Sequence, residues 1–303
     1  LGLVGLASAS DYWADRIKKH EFTRPTKEDD RMRHIEAVRA HLGPVFLAYR
    51  AHQDIDEILA SATAAEAQVD FVADDGIRHQ IWPISDTGAV DALRAAFDSI
   101  DALYIADGHH RAAAASRIGR DAAPNEDRGH FLAVVFPDTA LKILAYNRAV
   151  HDLAGRTPDA FMEVLAPIFT IEEIDVAYEP EEQYTFVMYV DEQWYELKLK
   201  EEHRPDPMDP VARLDVSVLQ DLVLGPLLGV TDPRTAENID FVGGIRGLSE
   251  LAQRADKTGG VSFALCPTSL ADLMAIADAG EVMPPKSTWF EPKLRSGLVI
   301  SRY

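Results

Sequence analysis

The segment Asp107-Gly108-His109-His110-Arg111 combines a carboxylate, two imidazoles and a guanidinium around one glycine. It follows an apolar run at residues 103–106 that predicts a buried strand, and it precedes an alanine-rich stretch that favours a helix. At such a turn the unpaired N–H groups and the positive end of the helix dipole attract anions. The glycine permits close approach of a ligand, and the second histidine and the arginine add donors that phosphate favours. The segment predicts phosphate binding, although a helix start capped by Asp107 explains the same residues without a ligand.

Further motifs occur along nearly the whole chain. They are KKHEFTRPTKEDDR, PVFLAY, ADGHHR, LKILAYNR, LDVSVLQDLVLGPLLG, IDFVGGIRG and MPPKSTWFEPKLRSGL. Together they resemble the family catalogued as domain of unknown function 1015. The HE…DGHHR arrangement is also similar to the ParB/sulfiredoxin-like fold and, within it, to kinases that phosphorylate free L-serine. Because family members carry an additional stretch before this point, we expect the chain to be truncated at its N terminus.

The resemblance implies a catalytic role for Glu21, because the serine kinases place a catalytic Glu in a similar HE segment. A serine hydroxyl needs its proton accepted while donors neutralise the phosphate. The resemblance therefore implies Glu21 as general base, with donors from His110 and Arg111. From the residues alone, a carboxylate just before a helix can simply complement the positive helix end.

The residues around Glu21 are candidate substrate contacts. His20 and Thr23 flank it, and the following four residues from Thr26 resemble a capping box that predicts a helix to about His41. Helical spacing places Arg31 in the first turn of this helix, on the face predicted to point inward. An inward arginine there either pairs with a carboxylate or reaches a ligand.

Two later segments carry possible anion ligands. Lys286, Ser287 and Thr288 follow two prolines, and we hypothesise that they close over the Asp107–Arg111 turn from a second domain. A surface loop explains these residues equally well, and the absence of a preceding Gly-x-x-x-x-Gly excludes a P-loop. Arg246 lies in a glycine-rich turn and is a further candidate substrate contact, although the pattern favours a tight turn over an anion site.

Asp107 is also the candidate metal ligand. It could hold Mg²⁺ or orient a histidine. A zinc site is disfavoured, because adjacent helical residues diverge by about 100° and cannot chelate one ion. Sulfiredoxin chemistry is excluded as usually performed, because it needs a cysteine where His109 stands.

The pattern of apolar runs predicts a mixed α/β or α+β protein of two domains. With 303 residues, two domains are expected. The resemblance implies that residues 1–150 form a ParB/sulfiredoxin-like domain that binds nucleotide or phosphate. We expect residues 151–303 to form an α+β domain that begins with antiparallel strands and a hairpin turn at Asp191-Glu192.

The charge balance limits the classes of partner. The net charge of −20 repels a phosphate backbone, which argues against nucleic acid and anionic membranes. Basic groups that bind phosphate should then be local exceptions on an acidic surface. The lone Cys266 and the lack of a membrane-length apolar run predict a cytoplasmic protein.

These observations and the resemblance predict a Mg²⁺-dependent phosphotransferase that acts on a small molecule. Its phosphoryl donor would be ATP or ADP, and its acceptor a hydroxyl compound, first of all free L-serine giving O-phosphoserine. The alternatives are a regulatory protein of the same fold that binds nucleotide without catalysis, and a scaffold with a degenerate pocket.

Overall fold

A computed structural model describes residues 1–122 and 126–303 of the chain. These residues form two compact units. The first comprises Leu1–Lys18, Thr23–Leu141 and Leu294–Tyr303, and the second comprises Lys19–Phe22 and Lys142–Lys293. Helices and strands occur in both units, which confirms the predicted two-domain α+β class.

The regular elements are as follows, in chain order. The strands are β1 (Leu3–Ser8), β2 (Ile17–Lys18), β3 (Ala40–His41), β4 (Val45–Tyr49), β5 (Val69–Val72), β6 (Arg78–Ile81), β7 (Leu103–Asp107), β8 (His130–Pro137), β9 (Lys142–Val150), β10 (Phe169–Ile174), β11 (Thr185–Val190), β12 (Gln193–Leu199), β13 (Ile239–Gly243), β14 (Val261–Leu265), β15 (Thr288–Glu291) and β16 (Ser301–Arg302). The helices are α1 (Ala9–Trp13), α2 (Pro25–Val38), α3 (Gln53–Ala62), α4 (Thr87–Asp98), α5 (His109–Ile118), α6 (Pro158–Leu165), α7 (Asp215–Leu219), α8 (Leu248–Thr258) and α9 (Leu270–Asp278).

The first unit contains a five-stranded mixed sheet in the order β1-β8-β4-β7-β2. Strand β4 is parallel to β8 and antiparallel to β7. Every residue of β4 is buried, which explains its uninterrupted apolar sequence. Four consecutive alanines of α5 lie in the core with residues of β4 and β7. This packing fixes α5 at the end of β7.

The second unit contains an antiparallel sheet in the order β10-β12-β11-β14-β9-β13, and β15 also pairs with β9. The turn between β11 and β12 is formed by Asp191 and Glu192, both with positive φ, which confirms the predicted hairpin. Residues 284–288 are called the Lys286 segment below. Pairing of β15 with β9 places Thr288, the last residue of this segment, beside β9.

The predicted start and end of helix α2 were wrong. The helix begins at Pro25, one residue before the expected capping threonine, and Arg24 occupies the N-cap position without a side-chain hydrogen bond. Proline favours the first helical position because its missing N–H is not needed there. The helix ends at Val38, because Arg39 adopts a left-handed conformation. Arg31 is exposed, which contradicts its predicted inward face.

Within the described ranges, no helix has the length and apolar character required to cross a lipid bilayer.

Candidate phosphate-binding site

The Asp107–Arg111 segment forms the predicted turn from strand to helix. Strand β7 ends at Asp107, Gly108 has φ +95°, and α5 begins at His109. The first bond of the helix runs from the Ala112 N–H to the Gly108 carbonyl, at 2.9 Å. The earlier N–H groups of a helix have no acceptor within it, and they point outward at the positive end of its dipole. The turn therefore has the backbone geometry of an anion site.

Arg111 lies across this turn. Its Nη2 is 3.3 Å from Asp107 Oδ2, and its side chain is 32% exposed. A Cβ on Gly108 would lie only 2.8 Å from Nη2, so only glycine leaves room for the guanidinium. The Nε atom is buried and has no hydrogen-bond partner among the described residues. Arg111 is thus held in place while retaining donors that it does not use.

Two residues beside Arg111 were missed by sequence reasoning. A Cβ on Gly43 would lie 3.4 Å from Arg111 Nη1 and 3.0 Å from the hydroxyl oxygen of Ser296. The C-terminal segment reaches this place through a bond of 2.6 Å from the Gly297 N–H to the Leu42 carbonyl. Gly43 was not among the predicted site residues. No local pattern relates it to a serine more than 200 residues later.

The two histidines of the turn differ in environment. His109 is 4% exposed, and burial together with the neighbouring His110 lowers its pKa to about 3. His110 Nε2 accepts a hydrogen bond of 3.0 Å from the Arg24 N–H. Burial is the main cause that lowers the pKa of His110. Because Nε2 accepts a hydrogen bond, the neutral ring carries its proton on Nδ1. Neither ring is a cation at neutral pH, and His110 contacts the start of α2.

Basic side chains of α2 surround His110. Burial is the main cause of the lowered pKa of His110, and the Glu28 carboxylate, which raises it, is the next largest influence. Positive charge from Arg24, Arg31 and Lys27 lowers this pKa further. With Arg111 these three residues form a basic cluster in a chain of net charge −20, beside Glu28 and Asp29, whose carboxylates pair with Arg117. Such a local exception is what phosphate binding by an acidic protein requires.

Ion pairs join α2 to α5. Arg117 Nη1 lies 2.9 Å from Glu28 Oε2 and 3.0 Å from Asp29 Oδ1. The Thr23 hydroxyl donates to Glu28 Oε1 at 2.5 Å, so this candidate substrate contact is bound to a carboxylate in the structure.

His20 and Glu21 belong to the second unit. The His20 carbonyl accepts a hydrogen bond of 2.9 Å from the Met283 N–H, and the His20 side chain is 4% exposed. Glu21 is exposed. The chain joins these two residues to Thr23, the first residue of the next segment of the first unit.

The Lys286 segment also lies in the second unit. Lys286 is exposed and has φ +57°. The Ser287 hydroxyl is buried and donates to the Pro284 carbonyl at 2.6 Å, and Thr288 begins β15. Of the three predicted ligands, Lys286 has the most accessible side chain.

Arg246 lies in the short 3₁₀ turn that follows β13. Its Nη1 is 4.0 Å from Glu250 Oε1, on an exposed side chain. A Cβ on Gly243 would lie 2.4 Å from the Trp289 ring, so this glycine is required by packing. The 3₁₀ conformation of Gly244–Arg246 supports the interpretation of the segment as a tight turn.

Among the described residues, no three or more His, Cys, Asp or Glu side chains form a group that could hold a metal ion. Asp107 is a single carboxylate with a side chain 55% exposed. A single carboxylate fits Mg²⁺ that is bound mainly by water and nucleotide phosphates.

The family described as protein of unknown function (DUF1015) matches residues 1–217. The chain belongs to this family. No curated protein matches the sequence.

Several solved structures are similar in fold. SbnI with a C-terminal truncation, from Staphylococcus aureus, is 11% identical with a TM-score of 0.50, covering 97% of this chain and 85% of that one. A free serine kinase in complex with AMP is 14% identical with a TM-score of 0.45, covering 97% and 90%. A conserved hypothetical protein from Pyrococcus furiosus is 16% identical with a TM-score of 0.42, covering 97% and 94%. At these identities the similarity concerns the fold alone.

Proposed function

We propose that this protein is a phosphotransferase that moves a phosphoryl group from ATP or ADP to the hydroxyl of a small molecule, first of all free L-serine. The observation that carries the proposal is the Arg111 guanidinium, held between Asp107 and bare glycine backbone at the N terminus of α5. Donors fixed in advance around an anion stabilise the charge that develops during phosphoryl transfer.

The basic cluster supports the same proposal. Arg24, Lys27 and Arg31 add positive charge near the turn, although the protein as a whole is strongly acidic. Local positive charge of this kind favours the polyphosphate of a nucleotide over a neutral ligand.

In the proposed reaction the serine hydroxyl oxygen attacks the terminal phosphorus of the nucleotide. Its proton passes to the Glu21 carboxylate, and the shortened nucleotide leaves with the electron pair of the broken P–O bond. Glu21 is assigned from the family resemblance, and the residue is exposed. His20, Thr23, Arg31 and Arg246 remain candidate substrate contacts.

The remaining proposed ligands bind phosphate and metal. Lys286, Ser287 and Thr288 would contribute donors from the second unit. Mg²⁺, held by nucleotide phosphates and Asp107, would neutralise phosphate charge when bound. The first part of the chain, to about residue 150, would carry the nucleotide.

Phosphorus NMR tests the proposal directly. The protein is incubated with Mg²⁺, L-serine and either ATP or ADP, beside a control without serine. We expect a phosphomonoester signal that requires serine. Nucleotide binding without this signal would favour a regulatory protein, and no binding would favour a scaffold.

A further inference from the structure

Arg148 is a buried cation of the second unit. It lies on β9 and is 3% exposed, with its guanidinium carbon 4.6 Å from the centre of the Phe241 ring. Burial lowers its pKa to about 9, so it remains charged at neutral pH. The described residues place no carboxylate within ion-pair distance of it. Burying a charge without a counterion costs free energy, so the hydrogen bonds of the guanidinium must compensate for the lost water.

Among the described residues, the hydrogen bonds of the Arg148 guanidinium all go to main-chain carbonyls. Nη1 donates to the Tyr146 carbonyl at 2.8 Å and to the Lys286 carbonyl at 3.1 Å. Nη2 donates to the Pro285 carbonyl at 3.4 Å. The Ser287 hydroxyl adds a bond to the Pro284 carbonyl. Side-chain donors therefore fix three successive carbonyls of the Lys286 segment.

These bonds hold an uncommon backbone conformation. Lys286 has φ +57° and follows a proline. The third residue of a type II turn also has positive φ and often follows a proline, but that residue is usually glycine. A side chain in this region costs about 1 kcal/mol, so its surroundings must stabilise it. The ammonium lies 5.5 Å from the centre of the Tyr146 ring, on an exposed side chain. The segment thus presents a lysine to solvent from a fixed backbone.

We infer that Arg148 is a positioning residue, which fixes residues 284–287 so that the Lys286 ammonium can bind a phosphate of the nucleotide. The inference rests on the proposed function, in which Lys286 is a phosphate ligand. Arg148 acts on Lys286 through the backbone, because its planar guanidinium donates to two carbonyls of the segment at once. A lysine in its place carries the same charge on a compact ammonium group, which lacks the planar arrangement of donors.

Trypsin tests the positioning without any nucleotide. Lys286 is exposed, and cleavage after it requires the segment to leave its fixed conformation. We expect Arg148→Gln to accelerate cleavage at Lys286 at least tenfold, as measured by mass spectrometry of the fragments. Arg156→Gln is the matched control, because Arg156 also donates to backbone carbonyls, of Leu153 and Leu227. Unchanged cleavage in Arg148→Gln would overturn the inference.

A double-mutant cycle tests whether Arg148 acts through Lys286. The probe is ADP with Mg²⁺, and the readout is Kd by calorimetry. We expect Arg148→Gln to raise Kd about tenfold in the natural chain and less than twofold in Lys286→Ala. An equal rise in both backgrounds would mean a merely structural role. Arg148→Lys, which keeps the charge, should give an intermediate effect and serves if Arg148→Gln does not fold.

The two tests separate the inference from the proposed function. If the natural chain binds no ADP, the proposed function fails, whereas the cleavage rates still decide whether Arg148 holds the segment. If ADP binds but Arg148→Gln changes neither measurement, only the positioning role fails.

Discussion

Arg111 occupies a space bounded by Asp107, Gly108 and Gly43. Its Nε is buried without a partner among the described residues, and the part of the side chain that remains exposed is what a phosphate can contact. A planar fork matches two phosphate oxygens, whereas an ammonium offers a single point charge. The position of Arg111 therefore requires the planar shape of a guanidinium as well as a positive charge.

We therefore expect Arg111→Lys to weaken ADP binding at least tenfold, as measured by calorimetry with Mg²⁺. The control is Arg94→Lys, because Arg94 is exposed and, within the described part of the chain, pairs only with Asp91 on its own helix. Equal affinities for Arg111→Lys and the natural chain would show that the turn does not bind the nucleotide.

Glu21 has a different expected signature, because a general base acts on the acceptor and leaves nucleotide affinity unchanged. Glu21→Gln should lower serine-dependent turnover at least a hundredfold while the Kd for ADP changes less than threefold. Phosphorus NMR and calorimetry measure the two quantities. The control is Glu57→Gln on α3, which removes an acidic side chain that accepts from Gln53. Full activity of Glu21→Gln would contradict the assignment.

At the scale of elements, the β7–α5 turn depends on Gly108 in two ways. Its φ of +95° disfavours any side chain, and a Cβ would displace Arg111. Gly76 has φ +78° in the β5–β6 hairpin, but a Cβ there would meet no atom within 4 Å. Comparison of these two glycines separates backbone strain from loss of the guanidinium position.

Both Gly108→Ala and Gly76→Ala should lower the free energy of unfolding by about 1 kcal/mol, because both require a left-handed alanine. Only Gly108→Ala should also weaken ADP binding, by at least tenfold. Urea denaturation and calorimetry measure the two effects. If both variants bind ADP like the natural chain, close approach at Gly108 has no functional role.

Elements with strong local signals were predictable. The apolar run of β4 and the alanines after the Asp107–Arg111 turn specify a strand and a helix without tertiary help. Helix α4 was missed, although Asp86 caps it by accepting from the Ala89 N–H. The start of α2 was misplaced because Pro25 takes the first helical position after Arg24, which makes no side-chain capping bond.

At the scale of the whole molecule, buried titratable groups in the two units should give opposite responses to pH. Asp215, in the second unit, is 6% exposed, and burial raises its pKa to about 7. The unfolded chain releases this proton near pH 4, whereas the folded chain retains it to about pH 7. Stability should therefore fall as pH rises across this interval, by roughly 4 kcal/mol at most.

Asp215→Asn should remove that fall. The amide keeps an oxygen that can accept from the Tyr184 N–H, now at 2.8 Å from Asp215 Oδ1. Urea denaturation at pH 4.5 and pH 7.5 measures the change, and Asp175→Asn, an exposed site of the same unit, is the control. An unchanged pH dependence in Asp215→Asn would show that the buried carboxyl ionises normally.

The buried His109 of the first unit should change the stability with pH in the opposite direction. Because its folded pKa is about 3, the unfolded chain binds a proton below pH 6.5 that the folded chain does not. Stability should therefore be lost as pH falls from about 6.5 towards 3. His109→Gln should reduce this loss in acid denaturation, whereas His34→Gln, on an exposed part of α2, should not. Identical acid transitions for all three chains would contradict the prediction.

The sequence by itself determined the α+β class, the hairpin turn at Asp191-Glu192, and a turn from strand to helix at Asp107–Arg111. These features follow from local patterns of apolar, small and polar residues, which act over a few positions. Tertiary structure alone brought Gly43 and Ser296 to Arg111, buried Asp215, and placed Arg148 against the Lys286 segment. Their roles depend on contacts between residues far apart in the chain, because packing and burial, rather than spacing, decide which groups meet and which lose water.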